Sequence, residues 1–179
     1  MSSDDRLIWL DLEMTGLEPA RHTIIEIGCC VTDKDLNVVA EGPSFVIHQP
    51  EAALGEMDAW CVEQHGKSGL TAKVRASDVS VAEAEQKTLA FLKEHCVAGA
   101  SPLCGNSIGQ DRRFLDKYMP ALSAFFHYRN VDVSTIKELV KRWYPQDKQA
   151  PPKAKTHNVM NDIHESIEEL RFYRRHIFR

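Results

Sequence analysis

The order of apolar runs along the chain predicts an α/β fold in which helices pack against a mixed sheet. Three β-rich runs follow one another at the start with only short turns between them, two shorter apolar runs come later, and stretches with helical periodicity separate and follow those later runs. Strands joined by short turns pair antiparallel and strands joined through a helix pair parallel, so a chain with both kinds of connection builds a sheet of both kinds.

Residues 7–12 form the first apolar run, which ends in Asp11-Leu12-Glu13 and is broken by Thr15-Gly16-Leu17-Glu18-Pro19, a strand followed by a turn. Residues 23–32 are β-rich, Asp33-Lys34-Asp35 interrupts them, and residues 36–48 supply a third strand of an antiparallel meander. Residues 50–80 are the least regular, and Met57, Trp60, Val62 and His65 predict one or two short helices there. Ser80 is an N-cap with Glu83 three residues on, the spacing of a capping box. Val81, Ala84, Thr88, Leu92 and Cys96 then recur at helical spacing, so this helix runs to about residue 95.

Residues 102–105 make a brief strand. Asn106 or Ser107 caps the next helix, whose buried stripe is Ile108, Asp111, Phe114 or Leu115, and Tyr118, and Pro120 ends it. Residues 130–133 form a last short strand, after which Ser134 caps a helix that turns Ile136, Leu139, Val140 and Trp143 to the core. The proline-containing stretch 145–156 is expected to be a mobile loop. Asn161 or Asp162 opens the final helix, with Ile163, Ile167, Leu170 and Arg174 along one side and Phe172 and Tyr173 as core or dimer contacts.

A chain of 179 residues is the size of one domain, spanning 1–179. With 26 acidic against 22 basic residues the net charge is -4, so the chain lacks the positive field with which binders of long nucleic acids collect phosphates. Five cysteines with no Cys-x-x-Cys spacing read as buried thiols of a reducing compartment and not as bridges or a zinc site. The polar start leaves no room for a signal peptide, and no run of apolar residues is long enough to span a bilayer, so a cytoplasmic protein with no membrane partner is expected.

Asp11 and Glu13 are two residues apart on a strand, which places both carboxylates on one face. A solvated strand edge would also explain them, but Leu7, Ile8, Trp9, Leu10 and Leu12 leave little room for a solvent side. Asp111 falls on the apolar stripe of its helix, where a charge is costly unless a distant base or a cation meets it. Asp162 falls in a first helical turn, an ordinary place for an acid, and His157 reads by itself as a surface histidine. Glu26 reads as an edge-facing or hydrogen-bonded structural acid, and Glu41, Glu83 and Glu85 as solvated. Carboxylates gathered at one sheet edge would repel one another, and magnesium or manganese, hard cations suited to oxygen, would relieve that.

The stretch Asp11-Leu12-Glu13-Met14-Thr15-Gly16-Leu17 resembles the first motif of the DEDDh 3′-to-5′ exonucleases in the wording of the oligoribonucleases. Gly105-Asn106-Ser107-Ile108-Gly109-Gln110-Asp111-Arg112-Arg113-Phe114-Leu115 resembles their second motif. Tyr128-Arg129-Asn130-Val131-Asp132-Val133-Ser134-Thr135 is similar to the next block, and His157 to Asp162 supplies the terminal histidine with four residues before its aspartate. Relatives usually carry alanine where this chain has Val159 and a second aspartate where it has Asn161. The histidine-to-aspartate spacing is intact.

The resemblance implies a ribonuclease H-like fold with a five-stranded mixed sheet flanked by helices. It also implies a homodimer and the trimming of RNA fragments of two to a few nucleotides to 5′-mononucleotides. The same fold acting on longer DNA or RNA is the alternative. Two divalent ions, Mg2+ or Mn2+, would be held by Asp11, Glu13, Asp111 and Asp162, with Asp11 shared and His157 as general base. Leu17 and His65 would meet the bases beside Trp60, and Ser107, Arg129, Ser134 and Thr135 would close over the 5′ phosphate, with Tyr128 arriving from the neighbouring subunit.

Overall fold

Five strands line up in the order β3-β2-β1-β4-β5 in the computed structural model, which describes residues 5–151 and 158–178. Strands β1 (Leu7–Met14), β2 (Ile24–Thr32) and β3 (Val38–Val46) form the antiparallel meander, and β4 (Leu103–Gly105) and β5 (Asn130–Asp132) continue the sheet parallel to β1. Between β3 and β4 lie α1 (Glu51–Gly55), α2 (Ala59–Lys67), α3 (Leu70–Ala76) and α4 (Val81–His95). Helices α5 (Ile108–Tyr118) and α6 (Pro120–Ser123) precede β5, and α7 (Val133–Trp143) and α8 (Val159–His176) follow it. No helix among the described residues is long and apolar enough to cross a membrane.

The side-chain alternation of β1 decides which layer does what. Ile8, Leu10 and Leu12 pack into a core with Leu92, Phe114 and Leu122, the face covered by α4, α5 and α6. Trp9 points the other way and joins Cys30, Cys104, Val140, Ile163, Ile167 and Tyr173 under α7 and α8. Asp11 and Glu13 continue the row that Trp9 begins, so the same period that buries the indole carries both carboxylates to the α8 side. A third cluster, Ile25, Leu54, Met57, Cys61, Leu70 and Val74, seats α1 to α3 against the sheet. All five cysteines are buried and free.

Several local expectations are corrected. Residues 50–80 hold three helices, α2 starting on Asp58, whose carboxylate accepts the Cys61 N–H at 2.8 Å. Leu36 belongs to the β2–β3 turn, at φ 70, with Asp33 accepting from Asp35 N and Asn37 N. Asp132, not Ser134, caps α7, because its carboxylate reaches the Ser134 N–H at 2.9 Å. Asn158, not Asn161 or Asp162, caps α8 and accepts from Asn161 N. Ser107 does stand at the N-cap of α5, but at φ 52 and without a hydrogen bond from its side chain to the helix. Leu139 and Trp143 lie on the outer face of α7, Trp143 being 69% exposed, while Val140 faces in and Ile136 is partly buried. Glu85 is not a solvated acid: its Oε1 accepts from Ala121 N and Leu122 N at 2.8 and 3.0 Å and caps α6. Residues 152–157, including His157 and the end of the predicted loop, lie outside the described residues, and 146–148 form a single 3-10 turn.

Candidate active site

Asp11, Glu13 and Asp162 each place a carboxylate oxygen within 4.8 Å of the other two. Two structural facts bring them together. Strand β1 presents Asp11 and Glu13 on the α8 side, and Asp162 stands in the first turn of α8, which crosses that side. Gly28 of β2, directly opposite Asp11 in the ladder, makes the crossing possible. A Cβ at Gly28 would stand 2.8 Å from Val159 Cγ2 and 3.0 Å from Met160 Sδ, so only a residue without a side chain lets α8 approach this closely.

Asp111 approaches from the β4 side of β1. Strand β4 pairs with β1 only at Ile8 and Trp9, so β1 outruns it and Leu12 N–H has no strand to bond on that edge. The Asp111 carboxylate, 6% exposed on α5, accepts that N–H at 3.0 Å. It stands next to the three-carboxylate cluster without being part of it. Its acidity still registers there, since it is one of the charges that raise Glu13.

Burial first, then the charges of Asp162, Glu26 and Asp111, push the Glu13 carboxyl up to about 8. Burial pushes Asp111 up to about 7, with Asp132 adding to it and the Leu12 N–H opposing. Glu26 is not the edge-facing acid that was one expectation for it, and it is not part of the three-carboxylate cluster. It is buried on the interior strand β2, opposite Glu13 in the ladder, and its carboxyl is raised by burial and by Asp162, with Lys73 opposing. Two like charges in directly opposed positions of an antiparallel pair destabilise the sheet unless something cationic or a proton intervenes. The signal for Glu26 in the sequence is its place in an otherwise apolar strand, but the register against Glu13 is not written there.

Around the carboxylates the other expected residues fall into two groups. His65 of α2 is 1% exposed; its Nε2 lies 3.0 Å from Met14 O and 4.0 Å from Glu13 Oε2, so the ring forms a wall of the acidic site. Leu17, 63% exposed on the turn after β1, and the exposed Trp60 of α2 stand outside that wall. On the other side, Ser107 N and Ser134 N both donate to Asp132 Oδ1, and the Ser107 and Ser134 hydroxyls are 3.2 Å apart. Asn106 backs this pair: its Oδ1 accepts from Ser134 Oγ, and its Nδ2 reaches Ser166 Oγ of α8 at 2.7 Å. Thr135 is exposed next to Ser134, whereas Arg129 is exposed just before the start of β5 and covers the ring of Tyr128, its guanidinium carbon 5.2 Å from the ring centre.

Comparison with known proteins agrees with this geometry. Residues 8–170 match the RNase_T family of exonucleases. An oligoribonuclease of Marinobacter nauticus is 59% identical over 179 residues, covering 100% of this chain and 99% of the relative. One from Vibrio cholerae is 58% identical over 177 residues, 99% of this chain and 98% of the relative. Among solved structures, the zinc-bound E. coli exonuclease I in complex with single-stranded DNA superposes with a TM-score of 0.74 at 13% identity, over 98% of this chain. The chain spans 41% of that structure's length, and the likeness speaks to the fold alone. With Asp11, Glu13 and Asp162 gathered in one cluster and relatives matched end to end, the chain belongs to the oligoribonucleases of the RNase_T exonuclease family.

Proposed function

We infer that the protein hydrolyses short RNA chains from the 3′ end at a divalent-cation centre and releases 5′-mononucleotides. The convergence of Asp11, Glu13 and Asp162 within 4.8 Å carries this conclusion. Three carboxylates so placed, one of them raised to about 8, form a set of oxygen donors that gains by exchanging a proton for a hard cation. With only carboxylate oxygens in the cluster among the described residues, the set suits magnesium or manganese better than zinc.

Asp11, Glu13 and Asp162 would hold one ion, and Asp111 would help to hold a second shared through Asp11. When bound, such ions supply an activated water and neutralise charge on the scissile phosphate and the leaving oxygen. Asp111 also fixes β1 through Leu12 N–H, which keeps Asp11 and Glu13 in register with Asp162. His157, assigned from its motif, takes the proton of the attacking water.

Leu17, Trp60 and His65 form the base side of the substrate pocket. Ser107, Arg129, Ser134 and Thr135 form the phosphate side, where the start of α7 favours negative charge. A 5′ phosphate seated there leaves no path for a further nucleotide, which accounts for short substrates in a protein whose net charge is -4. The exposed Leu139 and Trp143 on α7 and the 73% exposed Tyr128 support a homodimer in which Tyr128 completes the neighbour's phosphate pocket. Its place of action is the cytoplasm.

RNAs of two, five and about twenty nucleotides, each with magnesium, manganese or excess chelator, test these statements together. Rapid cleavage of the two-nucleotide RNA with either metal and none in chelator is expected. Preference for the longest RNA, or cleavage in chelator, would overturn the assignment. Light scattering of Trp143→Ser, expected to show a shift toward monomer, tests the dimer.

A further inference from the structure

The turn between β1 and β2 displays Leu17, and the way that turn is held points to a residue with no part in the chemistry. Its base is closed by Thr15 N donating to Thr23 O and Thr23 N donating to Thr15 Oγ1, both at 3.0 Å. Helix α5 braces the outside: Gln110 Nε2 donates to Leu17 O at 2.5 Å, Lys117 Nζ to Pro19 O, and Tyr118 OH reaches Pro19 O and His22 O at 3.1 and 2.6 Å. Every one of these α5 contacts is to a carbonyl. None can satisfy a backbone N–H inside the turn.

That need is met by His22. Glu18 N donates to His22 Nδ1 at 3.0 Å, and His22 N donates back to Glu18 O at 2.8 Å, so the residue after Leu17 is tied twice to the same partner. The ring is 7% exposed and fills the inside of the turn: a Cβ on Gly16 would lie 2.5 Å from its Cε1 and 2.6 Å from its Nδ1. Gly16 and His22 are therefore matched in shape, with Leu17 presented between the glycine and the tethered Glu18.

We propose that His22 is a positioning residue for base recognition: its Nδ1, as an acceptor, fixes the Glu18 amide and with it the direction of Leu17. This rests on the reading that Leu17 contacts the substrate bases. Nδ1 accepts in the tautomer that carries its proton on Nε2, and without that acceptor the Glu18 N–H inside the turn loses its partner. Because the Thr15–Thr23 base does not depend on the ring, the tip of the turn loosens while its base holds.

Three variants of the full chain separate the possibilities on a 5′-phosphorylated RNA dinucleotide with magnesium. His22→Leu, which keeps apolar volume without an acceptor, is expected to raise KM about tenfold with kcat within about twofold, and His22→Asn, which restores an acceptor, to recover most of that loss. An unchanged KM in His22→Leu alongside a raised KM in Leu17→Ala overturns the proposal while leaving the role of Leu17 standing. An unchanged KM in Leu17→Ala removes the role of Leu17 instead. Amide exchange reads the tether without any substrate. The protection factor at Glu18 is expected to be lower in His22→Leu than in the wild type, while that at Thr23 is the same in both. Equal protection at Glu18 in the two proteins also overturns the proposal.

Discussion

The approach of α8 to β2 at Gly28 can be tested by giving that glycine a methyl group. In Gly28→Ala the new Cβ would meet Val159 Cγ2 at 2.8 Å and Met160 Sδ at 3.0 Å. Carbon atoms pack comfortably from about 3.5 Å, so the first turn of α8 must retreat by about 0.7 Å. Overpacking of this kind costs about 1–3 kcal/mol, offset by about 0.5–1 kcal/mol from removing a glycine inside a strand. The net expectation is a loss of about 1–2 kcal/mol in chemical denaturation. The same retreat carries Asp162 away from Asp11 and Glu13. Metal–ligand distances tolerate only about 0.2 Å, so manganese affinity measured by calorimetry should fall at least about tenfold. Val159→Ala alone leaves a gap at a fully buried site and is also destabilising. In the double variant the methyl added at position 28 occupies the space that the valine vacates, and both stability and affinity return most of the way. The expected coupling is favourable by at least about 1 kcal/mol. Additivity of the two single changes to within about 0.5 kcal/mol, or unchanged metal affinity in Gly28→Ala, would refute the claim that this contact sets the position of Asp162.

Other outcomes follow from the same geometry. The Glu13 carboxyl, raised in the folded protein from 4.5 to about 8, keeps a proton that the unfolded chain gives up, so stability in chelator should fall as pH rises across that interval. Thermal melts with and without magnesium check the sign: stabilisation by the metal should grow toward the upper end, and a metal-free Tm that rises with pH counts against it. Asp11→Ala removes a shared ligand and should lower dinucleotide hydrolysis at least about a hundredfold, the upper end of what losing even an outer partner of a metal site costs. Its Tm in chelator should match or exceed the wild type, because like-charge repulsion is relieved. Glu85→Ala strips the cap from α6 and should cost about 1–2 kcal/mol in denaturation without altering KM for the dinucleotide.

Much of the site was legible because its signals are local. The two-residue spacing of Asp11 and Glu13 fixes a common face for any β-strand, and the charge of Asp111 on an apolar helical stripe marks a buried acid whatever lies beside it. The capping box at Ser80 and Glu83 likewise needs only a few residues, and the Ser80 hydroxyl does accept the Glu83 N–H. Where several candidates compete within one turn the local signal gives out. Asp132 and Asn158 won as caps over Ser134 and over Asn161 or Asp162, since the winner is the side chain that the preceding backbone aims at the free N–H groups. The α7 stripe shows a different limit: periodicity groups Ile136, Leu139, Val140 and Trp143 on one side, but the axis of the helix relative to the sheet leaves Leu139 and Trp143 outside.

The sequence by itself determined the order of strands and helices, the shared face of the first two carboxylates and the family to which the motifs belong, because each depends on residues close together along the chain. Only the tertiary structure decided that Asp162 closes on Asp11 and Glu13, that Glu26 sits opposite Glu13, and that Glu85 caps a helix more than thirty residues away. Those meetings are set by strand register and by how near one helix can come to one glycine, and such distances arise only when the layers pack.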